Sequence, residues 1–397
     1  MLAAFHLASD TLPEFSSKFS RRDFTRPQLF ACLVLKEFEK KDYRGIEQLL
    51  WDCPDLRRLI GLSKPPDHTT LQRASVALLG LPRARRMLDK LVALARARKI
   101  LGKTVALAAL DSSGYEARHV SRYFVRRRAK GGIAKGAAKT QEITYTRFPK
   151  LAIVVDCATH LILSFWTGIG PGPDHGHFDD CVYHAWRRAD VRKLAADSGY
   201  DSEAAHQLAR SDMGIKTLIP PWSGRPRQDG RPPGGRWRRV MSILLGTQQR
   251  RRKSGYGQRW QCETVNSMMK RNQGSALRAR TNHSRNRELA LRVLTHNLAI
   301  LRARIATEQV VSGFAGKFPA APTHRNRHHA RQITRCVDRR LDQICVARAA
   351  RLDEIDVRLR GDGVRPFDVQ RFLDRPPGIS RSLRITPLHA ILIQLFK

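Results

Sequence analysis

Tyr256-Gly257-Gln258-Arg259-Trp260-Gln261-Cys262-Glu263-Thr264-Val265-Asn266-Ser267-Met268-Met269-Lys270 is the stretch from which the chain is best read. No Pro or Gly follows Gly257, so one continuous helix is predicted. At about 100° per residue, Tyr256, Arg259, Glu263 and Lys270 share an arc of roughly 60°. A phenol, a guanidinium, a carboxylate and an ammonium thus line one stripe. Cys262, Val265, Met268 and Met269 lie opposite, where such a helix packs on a core. The stripe has two readings. It is either a solvated face with an Arg259–Glu263 ion pair worth a few tenths of a kcal/mol, or a phosphodiester site in which a carboxylate holds metal and the cations hold a backbone.

Composition bears on the choice. The 397 residues carry 73 Lys and Arg against 35 Asp and Glu, a formal charge of +38, with 42% apolar residues. The apolar share suffices for folded cores, and the charge calls for a polyanion to neutralise it. Nucleic acid fits, with binding that weakens as salt rises. A membrane fits less well: there is no unbroken apolar run of spanning length and no strong secretory signal. A soluble, cytoplasmic, nucleoid-associated protein is expected. The seven cysteines are odd in number and form no CxxC pair, which argues against a disulfide framework and a zinc finger.

Upstream of the stripe, two short apolar runs each deliver an acid. Thr104 to Leu110 reads as a buried strand ending at Asp111, and Val191 to Ala196 as one ending at Asp197. Asp201 competes with Asp197 but stands where a helix N-cap is needed, so Asp197 is preferred. Between them Leu151–Val155 and Leu161–Trp166 read as a hairpin, with Asp156 a turn residue. A helix is expected over about 177–188 and a further strand over 215–219. Residues 27–100 show helical periodicity, with capping-box spacing at Thr69 and Gln72. That region suits either a DNA-reading module or a packing bundle. Basic residues from Arg118 to Lys139, among them Arg126, Arg127 and Arg128, read as a loop or ribbon for phosphate contact, or as a plain solvated loop. A Pro/Gly/Arg-rich insert over 220–253 contains Arg238 and Arg239 with Trp222 and Trp237, and is expected to bury no core of its own. A helix is expected over about 284–306, and 313–397 reads as a basic C-terminal extension.

Asp111, Asp197 and Glu263 therefore form a set within a β-β-β-α-β-α order. Three converging carboxylates repel unless a cation lies among them. Hard oxygen donors select Mg²⁺ or Mn²⁺, and two such ions about 4 Å apart serve phosphodiester displacement.

Asp-Ser-Gly-Tyr around Asp197, together with Tyr256-x2-Arg259-x3-Glu263-x6-Lys270, resembles the DDE transposases of bacterial insertion sequences that carry the Tyr-Arg-Glu-Lys signature. The likeness spans roughly 22–304. It implies an α/β fold, namely a ribonuclease H-like mixed sheet flanked by helices over 101–312, preceded by an all-α region over 1–100 that binds terminal inverted repeats. It further implies Mg²⁺-dependent cleavage at the element's ends and attack of the 3′-hydroxyl on target DNA, by a homodimer on double-stranded DNA. Asp111, Asp197 and Glu263 would be the metal ligands, and Tyr256, Arg259 and Lys270 would hold DNA. A DNA-binding derivative without catalysis and a nuclease without strand transfer are the alternatives.

Overall fold

A run in which every consecutive residue is apolar organises the molecule. Leu151, Ala152, Ile153, Val154 and Val155 are all fully buried. Neighbouring strand residues point to opposite faces, so both faces of this strand are covered. The computed structural model describes residues 1–117, 122–128, 140–221 and 234–315; of these, 122–128, 140–146 and 306–315 are described by backbone alone.

Five strands form the central sheet: β1 (Ala108–Gly114), β2 (Phe148–Asp156), β3 (Ile162–Gly170), β4 (Lys193–Ala196) and β5 (Lys216–Leu218). Their spatial order is β5-β4-β1-β2-β3. β1, β2 and β3 are antiparallel neighbours, whereas β4 runs parallel to β1 and β5 parallel to β4. This is the mixed sheet flanked by helices that the ribonuclease H-like expectation required. The turn between β2 and β3 is held by Asp156, which accepts from the Thr159 hydroxyl (2.6 Å) and from the amides of Ala158 and Thr159.

Six helices precede the sheet: α1 (Leu2–Ser9), α2 (Arg26–Phe38), α3 (Tyr43–Asp52), α4 (Pro54–Arg58), α5 (His68–Leu78) and α6 (Leu81–Ala97). The capping box expected at Thr69 and Gln72 is absent. Asp67 caps α5 instead, accepting from both the amide and the hydroxyl of Thr69, so that hydroxyl is already spent. The reciprocal box belongs to α2, where Thr25 and Gln28 exchange bonds and Pro27 sits in the first turn. In α6, Ala84, Met87, Leu88, Leu91, Val92 and Ala95 are buried at helical spacing.

α7 (Phe178–Arg188) joins β3 to β4 and α8 (Glu203–Gln207) joins β4 to β5, and after β5 come α9 (Arg236–Leu244), α10 (Gln248–Ser254), α11 (Trp260–Gln273) and α12 (Asn282–Ala315). Residues 289–298 of α12 are buried all round, because the helix packs against β3 as well as α2 and α6. One core runs from Ala4 to Leu301.

Part of the 220–253 insert departs from expectation. Its described portion contains α9 and α10, and Met241 and Leu245 are buried. The N-terminus of α9 is capped from outside: Glu203 accepts from the amides of Trp237 and Arg238. Trp237 lies between the guanidiniums of Arg210 and Arg236, 4.5 and 4.9 Å from its ring centre, so it packs on the body. A second departure is that Ser202, not Asp201, caps α8. The Asp201 side chain is fully buried and pairs with Arg238. The basic ribbon is an antiparallel pair of strands, 122–128 with 140–146. Arg118, Lys130, Lys135, Lys139, Trp222 and the basic extension beyond 315 lie outside the described residues.

Candidate active site

Strand register builds the site. β1 and β4 are in parallel pairing, with Ala108 opposite Leu194, Ala109 opposite Ala195 and Leu110 opposite Ala196. One step further along, Asp111 and Asp197 become neighbours. Asp111 is not at a strand end, as expected, but inside β1, because the antiparallel ladder with β2 continues to Gly114 and Lys150. Only the parallel side stops there. β4 ends because the Asp197 carboxylate folds back to accept from the Gly199 amide at 2.9 Å, capping the turn Ser198–Tyr200.

The third acid arrives on α11. Gly255, with φ of 84°, closes α10, a conformation natural to glycine. The chain then makes a 3-10 turn over Tyr256–Arg259 before α11 begins at Trp260. The single helix expected over this stretch is therefore broken, and Arg259 sits at its junction. Cys262, Val265 and Met269 are buried beneath α11. Cys262 Sγ approaches the Ile153 carbonyl at 3.6 Å, and Ile153 is the cross-strand partner of Asp111. That docking brings Glu263, in the first turn, into a cleft with Asp111, Ser113, Asn266, Lys270 and Arg271.

The electrostatics are those of crowded acids. Burial, reinforced by repulsion from Asp197 and Glu263, pushes the Asp111 carboxyl up to about 6, against the Ser112 amide and Arg259. Asp197 is raised by burial and by Asp174, against the Gly199 amide, Arg259 and Lys150. Arg259 is the cation common to both. Burial works against its charge, but Tyr256, Glu263 and Asp111 outweigh burial and hold it protonated. It donates to Glu263 at 2.6 Å. Burial also raises the Tyr256 phenol, which Arg259 counters.

The structure thus gathers Asp111, Asp197, Glu263, Tyr256 and Arg259, with Lys270 on the same cleft and its ammonium 5.2 Å from the Tyr115 ring centre. Arg238 is instead engaged with Asp201, at 2.6 and 2.8 Å. Arg239 is exposed on α9 and donates to the Gly235 carbonyl. Arg126, Arg127 and Arg128 lie on the ribbon, where only backbone is described. Three residues were missed by the sequence reading. Asp174 accepts from Ser112, the neighbour of Asp111, at 2.7 Å, and Lys150 pairs with Asp174. Asn266, 5% exposed, has neither amide atom hydrogen-bonded. A lysine opening an apolar strand was the one visible signal.

The donor set suits a hard divalent cation: the oxygens are carboxylates, and two of these groups, Asp111 and Asp197, are destabilised as anions by burial and by neighbouring carboxylates. Among the described residues the ligand oxygens of Asp111, Asp197 and Glu263 do not all lie within 4.8 Å of one another, since Glu263 is turned to Arg259. Glu47, Asp67 and His68 do meet that distance, but they bond to each other and to the first turn of α5.

Residues 106–298 match a family described as "Transposase DDE domain", a span that contains all three acids. No curated protein matches the chain. Similar solved structures include a pre-cleavage Mos1 transpososome, at 7% identity and TM-score 0.20, with 73% of this chain and 82% of that one covered. A Mos1 transposase paired-end complex with left transposon end shows 8% identity and TM-score 0.19 over 66% and 80%. A Mos1 mariner paired end complex with Mn shows 8% and 0.19 over 74% and 84%. These likenesses are too distant to argue from. Over residues 106–298 the chain is similar to the DDE domain of transposases, which supports a DDE transposase.

Proposed function

We propose that this chain is the transposase of a bacterial insertion sequence of the Tyr-Arg-Glu-Lys group. In this reading it binds the element's terminal inverted repeats as a homodimer, cleaves DNA at the ends and joins the 3′-hydroxyl to target DNA. One observation carries it. The parallel register of β1 and β4 sets Asp111 beside Asp197, and α11 brings Glu263 and Arg259 to the same place. Mg²⁺ or Mn²⁺ held by Asp111, Asp197 and Glu263 would activate the attacking oxygen and stabilise the leaving one.

The chain's own residues do the rest. Glu263 is about half exposed, so its bond to Arg259 is worth only a few tenths of a kcal/mol. An incoming phosphate can therefore take the guanidinium and release the carboxylate. Arg259 then holds the phosphate in a forked geometry that lysine lacks. Tyr256 and Lys270 secure the backbone on either side. Arg126, Arg127, Arg128 and Arg239 would add further phosphate contacts, whereas Arg238 is held by Asp201. Residues 1–100 would hold the repeat, 101–312 the chemistry, and 313–397 a basic extension. No helix among the described residues is long and apolar enough to cross a membrane; in this reading the protein works on the nucleoid.

The test is nicking of double-stranded DNA bearing the element's ends. Mg²⁺-dependent breaks, lost in Asp111→Ala, Asp197→Ala and Glu263→Ala with DNA binding retained, would support the reading. Binding without breakage would make the chain a DNA-binding derivative. Cleaved ends that never join a target plasmid would make it a nuclease.

A further inference from the structure

Two turns that carry no proposed ligand except Asp197 are tied together behind the acids. Asp174 opens the turn Asp174–His177 after β3, and His177 bonds to the Tyr200 hydroxyl at 3.0 Å in the turn that follows Asp197. The Asp174 carboxylate is used on both sides. Oδ1 accepts from Ser112, at 2.7 Å, and from Lys150, at 2.5 Å. Oδ2 faces Gly199, where a built Cβ would lie 3.2 Å from it and 3.1 Å from Asp197 Oδ1. Two carboxylates thus flank one glycine, with their oxygens at most about 6 Å apart.

Such an arrangement is repulsive unless something offsets it, and Lys150 is placed to do so. It is only 8% exposed, so it cannot reach a DNA backbone. Both of its cross-strand partners are glycines, Gly114 on β1 and Gly168 on β3, with the Phe148 ring covering the first and the Trp166 ring the second. Its ammonium also donates to the Gly172 carbonyl at 2.9 Å. Burying this pair gains little stability over apolar residues of similar volume, so its value must be sought in what it holds in place.

We infer that Lys150 and Asp174 are a positioning pair that fixes the Asp197 turn against the strand carrying Asp111, and so sets the spacing of the two cation ligands. This rests on the transposase reading above. Asp174 grips Ser112 on one side and abuts Gly199 on the other, while Lys150 cancels the charge that would otherwise drive the Asp197 turn away. Outer partners of this kind typically govern metal affinity by 10–100-fold when removed.

The experiment uses the full chain and Mn²⁺ itself, with free Mn²⁺ followed by electron paramagnetic resonance. Asp174→Asn and Lys150→Met should each raise the Mn²⁺ concentration for half occupancy by about 10–100-fold, with DNA binding in EDTA unchanged. Lys150→Arg should recover most of the affinity. The double variant Lys150→Met/Asp174→Asn, which removes both charges, should bind better than Lys150→Met alone. Singles within twofold of wild type, or a double variant no better than Lys150→Met, would overturn the pair's role and leave the transposase reading standing. If Lys150→Met does not fold, the isosteric Asp174→Asn and the charge-conserving Lys150→Arg decide the matter between them. A wild-type chain that neither binds Mn²⁺ nor nicks DNA would overturn both.

Discussion

Asp111→Asn should stabilise the metal-free protein near neutral pH while ending strand cleavage. Burial, with Asp197 and Glu263 adding to it, moves the Asp111 carboxyl from 3.8 to about 6. Between those values the folded chain keeps a proton that the unfolded chain has given up. The stabilising contribution is therefore full below pH 3.8 and is lost as pH rises through about 6. At 1.36 kcal/mol per pH unit the gap is worth about 3 kcal/mol as a ceiling, and solvent in the open cleft screens it to about 1–2 kcal/mol. Asp197, raised in the same direction, adds to the sign. Urea unfolding in EDTA at pH 5 and pH 7.5 measures it. The wild-type midpoint should fall between the two pH values, and Asp111→Asn should fall less and be the more stable protein at pH 7.5. Mn²⁺ at about 100 times its Kd should then return about 2.7 kcal/mol to the wild type and little to the variant. A variant less stable than wild type at pH 7.5, or one with the same pH dependence, would refute the reasoning.

Other substitutions probe neighbouring elements. Arg259→Gln removes the cation shared by Asp111 and Asp197, so the acidic limb of the pH–rate profile should move to higher pH and cleavage should fall far more than DNA binding in a gel-shift assay. Asp201→Ala leaves Arg238 unpaired against a fully buried position and should cost about 2–3 kcal/mol in urea unfolding, with α9 losing protection in hydrogen exchange. Gly255→Ala forces a side chain into φ of 84° and should cost about 1 kcal/mol by the same unfolding measurement. Thr25→Ala removes one half of the α2 capping box and should lower stability by about 1 kcal/mol.

What the sequence showed was local, and what it hid was remote. The buried strand 151–155, the hairpin turn at Asp156 and the apolar side of α11 could be read because each follows from neighbours in the chain. Asp111 inside a strand could not be read, since the strand's length is set by pairing with β2, some forty residues on. The helical state of 236–244 was masked by its arginines, and its cap, Glu203, comes from another element. Asp201 looked like a cap by position, yet its partner lies in α9. Asp174 stood in a Gly/Pro loop with no periodicity to single it out; only the folded chain shows that Ser112 and Lys150 converge on it.

The strand register has a mechanical consequence. Asp111 rides on β1 and Asp197 follows directly on the last residue of its parallel neighbour β4, and the spacing of those two strands, about 4.8 Å, is set by backbone hydrogen bonds. Those two acids are fixed jaws. Glu263 rides on a helix that starts five residues beyond a left-handed glycine and directly after a 3-10 turn, and its carboxylate is parked on an arginine. Of the three acids it is the one carried by no strand, so adjustment to an arriving substrate would fall to residues 255–263 and leave the sheet undisturbed.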